Sequence, residues 1–532
     1  MTLLNINKMK TQKNKTTILV FLVFAFLTLG ACKTERTEKV TCETATIADL
    51  PDVTIVSVTQ ETDLVPHCKV TGIIGKDINF ELLLPHDWNG KFVMGGGGGF
   101  VGSVINTALG YGVLQKGYAT VGTDTGHEGH PIDGSWAKDN LEAIVNFGHV
   151  AVHRTAVNAK ALTEAYYGKE ISYSYFFGCS RGGGQAMMEA QRYPGDFDGI
   201  VAGAPAYDWT NGLAGGMLHN MTYMYPDPTS LDEPLLSKED LKLIEDSYLA
   251  ECDDLDGIKD GILRDPRACK FDIESLLCDG EKNEGCLTVE QVKAVKAIYE
   301  GPKDDNGPLY YGFPVGGETH GDGWFKWITG GFNHMEQTGE FHEGITSEHQ
   351  APPMPNAQYG FGMGIMQNLV YHDNNWTYEN YDFNKLKEDA RFIANTLNAV
   401  NPDLSEFRAK GGKLMMFTGW SDAAITPLGT IGYYENVIAK DTSAAEDVKL
   451  FMMPGVLHCL GGDGPSWVNW IDEIDNWVSG GVNPEQVTVY FIDEKFQPSG
   501  SQLLCPYPKV AVYDGSGDPR NVGSFNCGQL TE

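Results

Sequence analysis

Three features of this sequence predict an α/β architecture built on a parallel sheet. Short apolar runs alternate with segments of helical periodicity in the first and last thirds of the chain. Glycine clusters follow several of those runs, where a strand would give way to a loop. Between the two alternating regions the rhythm breaks, in a long stretch rich in Asp, Gly, Pro and aromatic residues. The chain has 532 residues, 42% hydrophobic and 11% aromatic, so it can bury a large core and is no disordered acidic tail. Single cores seldom grow past ~250–300 residues, so the length asks for two domains or one domain with a large insertion.

The elements follow in chain order. Lys91 to Met94 reads as a strand that runs into five glycines, Gly95 to Gly99. Tyr118 to Val121 reads as the next strand, ending at Gly122-Thr123-Asp124-Thr125-Gly126. A helix is predicted over 146–167, with Phe147, Val150, Ala151, Ala159, Leu162 and Tyr166 near helical spacing and Gly168 as its stop. Ser172 to Phe177 is a strand, 182–192 a helix closed by Tyr193-Pro194, and Gly199 to Ala202 a buried strand. Alternation resumes with strands at 413–417 and 448–453, then a helix over 467–478 behind Pro465, with Trp467, Ile471, Ile474 and Trp477 on one face. This organisation gives an α/β domain of residues 42–205 and 386–532, interrupted by an insertion over 206–385.

The N-terminus reads as an export signal over residues 1–31. Lys8, Lys10, Lys13 and Lys15 precede an apolar run of 12 residues, Ile18 to Leu29, too short for the ~20 residues that span a bilayer. The run closes on Leu29-Gly30-Ala31-Cys32, which resembles a bacterial lipobox with Cys32 as the lipidated first residue of the mature chain. Ordinary cleavage near Ala31 is the plainer alternative. Residues 32–41 would be a tether, and the protein an exported lipoprotein, periplasmic or on the cell surface, touching membrane only through its anchor. Acylation of Cys32 would leave ten of the 11 cysteines, an even set that reads as disulfides in an exported chain. No C-x-x-C occurs, which weakens a cysteine metal site. The net charge is −32, and −36 once residues 1–31 and their four lysines are gone. Such a surface repels phosphate backbones and argues against a nucleic-acid partner.

Gly178-Cys179-Ser180-Arg181-Gly182 places G-x-S-x-G between a strand and a helix. A serine on such a strained turn exposes its Oγ above the sheet at a helix N-terminus. It needs an acid and then a histidine later in the chain. Asp422 lies just past the strand 413–417 and His458 just past the strand 448–453. Either alone would more often be a solvated loop residue; three in this order, each after a strand, point to Ser180 as nucleophile, His458 as base and then acid, and Asp422 as the group fixing the imidazole tautomer. Cys179 precedes the serine and Cys459 follows the histidine, so a bond between them would clamp the two loops. His127-Glu128-Gly129-His130 lacks the spacing of a helical zinc motif and reads as structural or site-lining. Trp324, Phe325, Trp327 and Phe332 could stack on an aromatic acyl group or simply form core.

With Cys-Ser, Asp and His-Cys in this order, the chain resembles the tannase and feruloyl esterase family of α/β-hydrolases, which includes hydrolases of terephthalate mono-esters. The resemblance spans about Cys42 to Cys527 and includes Thr123-Asp124-Thr125-Gly126-His127, the stretch Cys252 to Asp272, and Cys505-Pro506-Tyr507-Pro508. It implies an α/β-hydrolase fold whose insertion is a lid, and the further pairs Cys252–Cys269, Cys278–Cys286, Cys505–Cys527 and Cys42–Cys68. In such a fold the oxyanion hole would come from the N–H of Arg181 and of Gly97 or Gly98. Four carboxylates crowd the segment 253–260 beside Gly257 and Gly261, a density that suits Ca²⁺ although the spacing is not that of an EF-hand. By resemblance Asp253, Asp256 and Asp260 would give carboxylates, and Ile258 and Ile262 carbonyls, to a structural ion in the lid.

The sequence therefore predicts an exported serine esterase acting on esters of aromatic acids, feruloyl-type first, through an acyl-enzyme. The ester would be a small molecule or decorate a plant polymer. Galloyl esters and terephthalate mono-esters are the alternatives; an exported peptidase or lipase, or an inactive surface binding protein, stand further back.

Overall fold

A computed structural model describes residues 42–43, 47, 49–330 and 354–529; the export segment, Cys32, the tether and Phe332 lie outside the described residues. The main sheet has nine strands: β1 (Val53–Glu61), β2 (His67–Ile74), β3 (Ile78–Pro85), β4 (Lys91–Gly95), β5 (Ala119–Thr123), β6 (Tyr173–Cys179), β7 (Gly199–Gly203), β8 (Lys413–Gly419) and β9 (Val448–Met453). Their spatial order is β1-β2-β3-β5-β4-β6-β7-β8-β9. From β5 through β9 every pairing is parallel, whereas β1, β2 and β3 join antiparallel at one edge. The predicted parallel strands are all present.

Alternate residues of each parallel strand feed different cores. Phe176, Leu414, Met416 and Leu450 face one layer with helices α1 (Ala151–Tyr167) and α2 (Arg181–Arg192). Tyr175, Phe177, Met415, Phe417 and Phe451 face the other, where the helix Trp470–Val478 packs and Trp470 stacks on Phe417 at 4.6 Å. Burial on both faces is what turns these strands into near-continuous apolar runs.

Two predicted helices start elsewhere. The span 146–167 divides: residues Asn146–Val150 wind as a π-turn, and α1 then runs from Ala151 to Tyr167, where Gly168 with a φ of 63° ends it. The helix predicted from Trp467 begins at Trp470, because the Asn469 side chain accepts the Asp472 N–H and caps it there. Trp467 instead bridges to Tyr490 and stacks on Tyr111 at 5.1 Å.

Between β7 and β8 the described residues 204–330 and 354–412 lie outside the main sheet, a span that takes in the described part of the predicted insertion 206–385. Its helices Lys238–Cys252 and Val289–Glu300 each open with a capping box, Ser237/Asp240 and Thr288/Gln291. Trp209, Leu213, Met217, Trp327 and Phe361 from this span share one core with Phe100, Ile105 and Phe147 from the α/β layer. All five cysteine pairs close: Cys42–Cys68, Cys179–Cys459, Cys252–Cys269, Cys278–Cys286 and Cys505–Cys527. Such a set forms in an oxidising, extracellular-type compartment. No helix among the described residues is long and apolar enough to cross a membrane.

Candidate active site

Ser180 is the hinge between β6 and α2. Its φ of 61° and ψ of −121° lie in a region costly for any residue with a side chain, the strain of a sharp strand-to-helix turn. Its N–H donates to Gly203 O at 3.0 Å, and its carbonyl accepts from Gly184 and Ala206 N–H, so the turn is fixed from both sides. The turn also needs glycines: a Cβ on Gly178 would meet the backbone of Gly182 at 2.4 Å, and one on Gly183 would meet Gly203 O at 2.2 Å.

β8 and β9 deliver the other two predicted residues. Asp422 is buried just beyond β8, where one carboxylate oxygen accepts the N–H groups of Ala424 (2.8 Å) and Ile425 (2.9 Å). Its other oxygen lies 2.8 Å from His458 Nδ1. An ionised carboxylate only accepts, so Nδ1 carries the proton and Nε2 is left as a lone-pair base. The loops meet backbone to backbone, since a Cβ on Gly419 would lie 2.1 Å from Val456 O. The Cys179–Cys459 bond, spanning 280 residues with Cα atoms 6.0 Å apart, ties the residue before Ser180 to the residue after His458.

Ser180 and His458 line the same cleft, about 270 Å³, with Gly99, Arg181, Ala206, Trp209, Leu213, Met217, Trp327, Phe361, Ala424 and Ile425. Its walls are mostly apolar. The Trp327 ring meets His458 edge-on at 5.2 Å and stacks on Phe361 at 6.1 Å. Of the predicted aromatic cluster, Trp327 therefore lines the cleft, while Trp324 is buried against Tyr299 and Phe325 lies under the Lys238 ammonium. Sequence reasoning had no means of singling out Trp209, Leu213, Met217, Phe361 or Ile425, because a lining residue and a core residue carry the same apolar signature.

The glycine loop needs one correction. Gly97 N–H already donates to the buried Gln185 Oε1 at 3.1 Å, which removes it as an oxyanion donor. Gly98 has open space where a Cβ would stand, and Gly99 lines the cleft. Arg181 is the first residue of α2, so its N–H has no carbonyl partner within its own helix. Its guanidinium lies over Phe147 at 4.2 Å and Trp209 at 5.2 Å and donates to the carbonyls of Phe147 and Gly148. Burial without a carboxylate lowers its pKa to about 9. His127 is structural: its Nε2 meets Phe100 O at 2.8 Å, its ring stacks on Trp136 at 3.8 Å, and burial lowers its pKa to about 4.

The acidic loop turns at Gly257 (φ 86°) and Gly261 (φ 78°). Asp253, Asp256 and Asp260 accept the N–H groups of Gly261, Ile258 and Ile262 respectively, at 2.7–3.1 Å. Burial raises Asp256 to about 6 and pushes Asp260 up as well. One guanidinium, that of Arg264, faces them at 3.8 Å from Asp256 and 3.7 Å from Asp260, beyond hydrogen-bond reach. The donors are hard oxygens with negative charge in excess, which fits Ca²⁺ chemistry. The three carboxylates are not gathered within 4.8 Å of one another.

An elbow serine lining a cleft, a carboxylate-held imidazole and the cleft's apolar walls on a mostly parallel sheet define a class: a carboxylic ester hydrolase with the α/β-hydrolase fold. A family model described as tannase and feruloyl esterase matches residues 62–528, and the chain belongs to that family. The mono(2-hydroxyethyl) terephthalate hydrolase of Piscinibacter sakaiensis is 32% identical, over 87% of this chain and 84% of its own. A probable feruloyl esterase B of Aspergillus niger is 30% identical, over 90% and 89% respectively. The crystal structure of feruloyl esterase B from Aspergillus oryzae superposes with a TM-score of 0.77 at 25% identity, covering 90% of this chain and 97% of that one.

Proposed function

We propose that this protein is an exported serine esterase that hydrolyses esters of aromatic acids, feruloyl-type above others, through an acyl-enzyme. The observation that carries the reading is the pairing of His458 with Asp422 in a cleft shared with Ser180 and walled by Trp327, Phe361 and Trp209. Ser180 Oγ attacks the ester carbonyl as His458 Nε2 takes its proton. The N–H of Arg181 and a backbone N–H at Gly98 or Gly99 hold the oxyanion. His458 then protonates the leaving alcohol, and water, deprotonated by the same imidazole, releases the acid. Asp422 stabilises the imidazolium without itself taking the proton.

The cleft chemistry orders the candidate acyl groups. Among its described lining residues, polar side-chain groups come only from Ser180, Arg181, His458 and the indole N–H groups of Trp209 and Trp327, the last two being donors without acceptor capacity. The several ring hydroxyls of a galloyl group would outnumber these partners, at about 1–3 kcal/mol for each group left unsatisfied. One observation favours a terephthalate-type mono-ester as the second reading: Arg181 lines the cleft, and its Nε and Nη1 lack acceptors among the described residues. A carboxylate on the acyl ring would supply one.

The same reading makes Cys32 the lipid anchor of the exported chain and gives the loop 253–262 a structural Ca²⁺ held by Asp253, Asp256, Asp260 and the carbonyls of Ile258 and Ile262. A panel of methyl ferulate, ethyl gallate, a terephthalate mono-ester, p-nitrophenyl butyrate and a peptide decides the substrate class. The highest kcat/KM on methyl ferulate supports the proposal. Turnover of the peptide alone, or ligand binding with no ester turnover in protein whose Ser180→Ala variant binds equally well, would overturn it.

A further inference from the structure

Away from the cleft, His153 on α1, Glu189 near the end of α2 and Asp196 in the turn after α2 bring one ligand atom each within 4.8 Å of the other two. It is the one such trio of His, Cys, Asp or Glu among the described residues. His153 Nδ1 lies 2.6 Å from an Asp196 carboxylate oxygen. Glu189 is 1% exposed, and neither of its carboxylate oxygens meets an N–H or O–H donor among the described residues. A buried carboxyl without a donor is expensive, and the esterase mechanism gives this one no task. It sits eight residues along α2 from Arg181, about 12 Å from the end that carries Ser180.

Two protein groups could have neutralised it. The Lys160 ammonium instead donates to the backbone carbonyl of Asp196, and the imidazole of His153 is turned to the Asp196 carboxylate. Burial first, and the Asp196 charge second, therefore push Glu189 well above the usual carboxylate range. The His153 ring is held in place by stacking on Tyr193 at 3.9 Å, and Tyr193 in turn holds His149 at 2.6 Å. The His153 side chain is 33% exposed, which leaves a way in from solvent.

We infer that His153, Glu189 and Asp196 form a site for a divalent cation of the zinc class, which braces α1, α2 and the turn into β7 at the end of α2 opposite Ser180. One imidazole and two carboxylates, completed by a water, are a donor set such a cation takes, at about 2.0–2.2 Å from each ligand. The cation gives Glu189 a positive partner in direct contact, where the Lys160 ammonium acts on it only through space. The competing explanation is a single proton shared between Glu189 and Asp196.

The test uses the full-length protein, stripped with a chelator and returned to excess Ca²⁺ so that the acidic loop does not compete. Calorimetric titration with Zn²⁺ should show one saturable equivalent, and Co²⁺ should give the visible bands of a low-symmetry, four-coordinate ion. Glu189→Gln should abolish uptake, and His153→Ala should weaken it by more than about a hundredfold, since losing even an outer partner of a ligand costs about 10–100-fold. Asp253→Asn should leave it unchanged. If Glu189→Gln does not fold, the half-exposed His153→Ala decides the question. No saturable Zn²⁺ uptake by the wild type, or uptake that survives both variants, overturns the inference; no uptake together with a more stable Glu189→Gln variant establishes the shared proton instead.

Discussion

Asp422 divides its carboxylate between two backbone N–H groups and His458 Nδ1, so in the proposed mechanism the side chain would position the base rather than exchange protons. Asp422→Asn keeps the shape but can present an N–H to Nδ1, which favours the wrong tautomer. We expect kcat to fall ~10³–10⁴-fold with KM little changed, measured by steady-state hydrolysis of methyl ferulate. Trp327 acts on the acyl group instead, if its edge-on contact with His458 frames the ring of the substrate. Trp327→Ala should lower kcat/KM about tenfold for methyl ferulate and much less for p-nitrophenyl butyrate, since an aromatic pair contributes ~0.5–1.5 kcal/mol beyond area burial. Equal losses on both esters would assign Trp327 to packing. Ser180, Asp422 and His458 were legible in the sequence because each follows a strand whose apolar run marks its end. Gly97 was misread for a physical reason: the donor that matters is a backbone N–H, and its capture by Gln185 arises from α2 packing against the glycine loop, 88 positions away in sequence.

The strands β6, β8 and β9 could be read because both their faces are buried. β1 could not: its exposure alternates between intermediate and exposed along one solvated edge, and Val56 is 64% exposed. The Cys179–Cys459 link belongs to this scale, since it joins the last residue of β6 to the loop after β9. Replacing both cysteines by Ala should lower stability by about 2–4 kcal/mol and reduce kcat at temperatures where circular dichroism shows the fold intact. Unchanged kcat in the folded variant would limit the bond to stability. Glu318 locks another junction. It accepts Gly316 N–H at 2.9 Å and the hydroxyls of Tyr248 (3.2 Å) and Tyr299 (3.0 Å), from the helix Lys238–Cys252 and the helix Val289–Glu300. Burial raises its pKa to about 7. The folded state thus holds a proton that the unfolded chain, near 4.3, has released. Its contribution is full below about pH 4 and declines as pH rises toward about 7. Melting temperatures at pH 5 and pH 8 should therefore differ less in Glu318→Gln than in the wild type; an identical difference would show that Glu318 does not titrate in this window.

For the whole molecule, the chain without residues 1–31 would carry a net charge of −36, and one part of the acidic excess condenses in the loop 253–260. That loop packs Ile258 against Leu503, Ala511 and Phe525 of the C-terminal strands, so it couples the insertion to the end of the chain. Removing Ca²⁺ should lower the melting temperature by several degrees while leaving kcat at 25 °C nearly unchanged, as scanning calorimetry and the ester assay would show; an unshifted melting temperature would remove the ion from the account. The reading as a whole rests on Ser180 carrying an aromatic acyl group. Rapid quench of the wild type with the activated ester p-nitrophenyl ferulate, followed by peptide mass spectrometry, tests this most directly. The account predicts a feruloyl adduct on the peptide containing Ser180, formed with the burst of nitrophenol and absent from Ser180→Ala. Turnover at the wild-type rate by Ser180→Ala, or an adduct on any other residue, would contradict it.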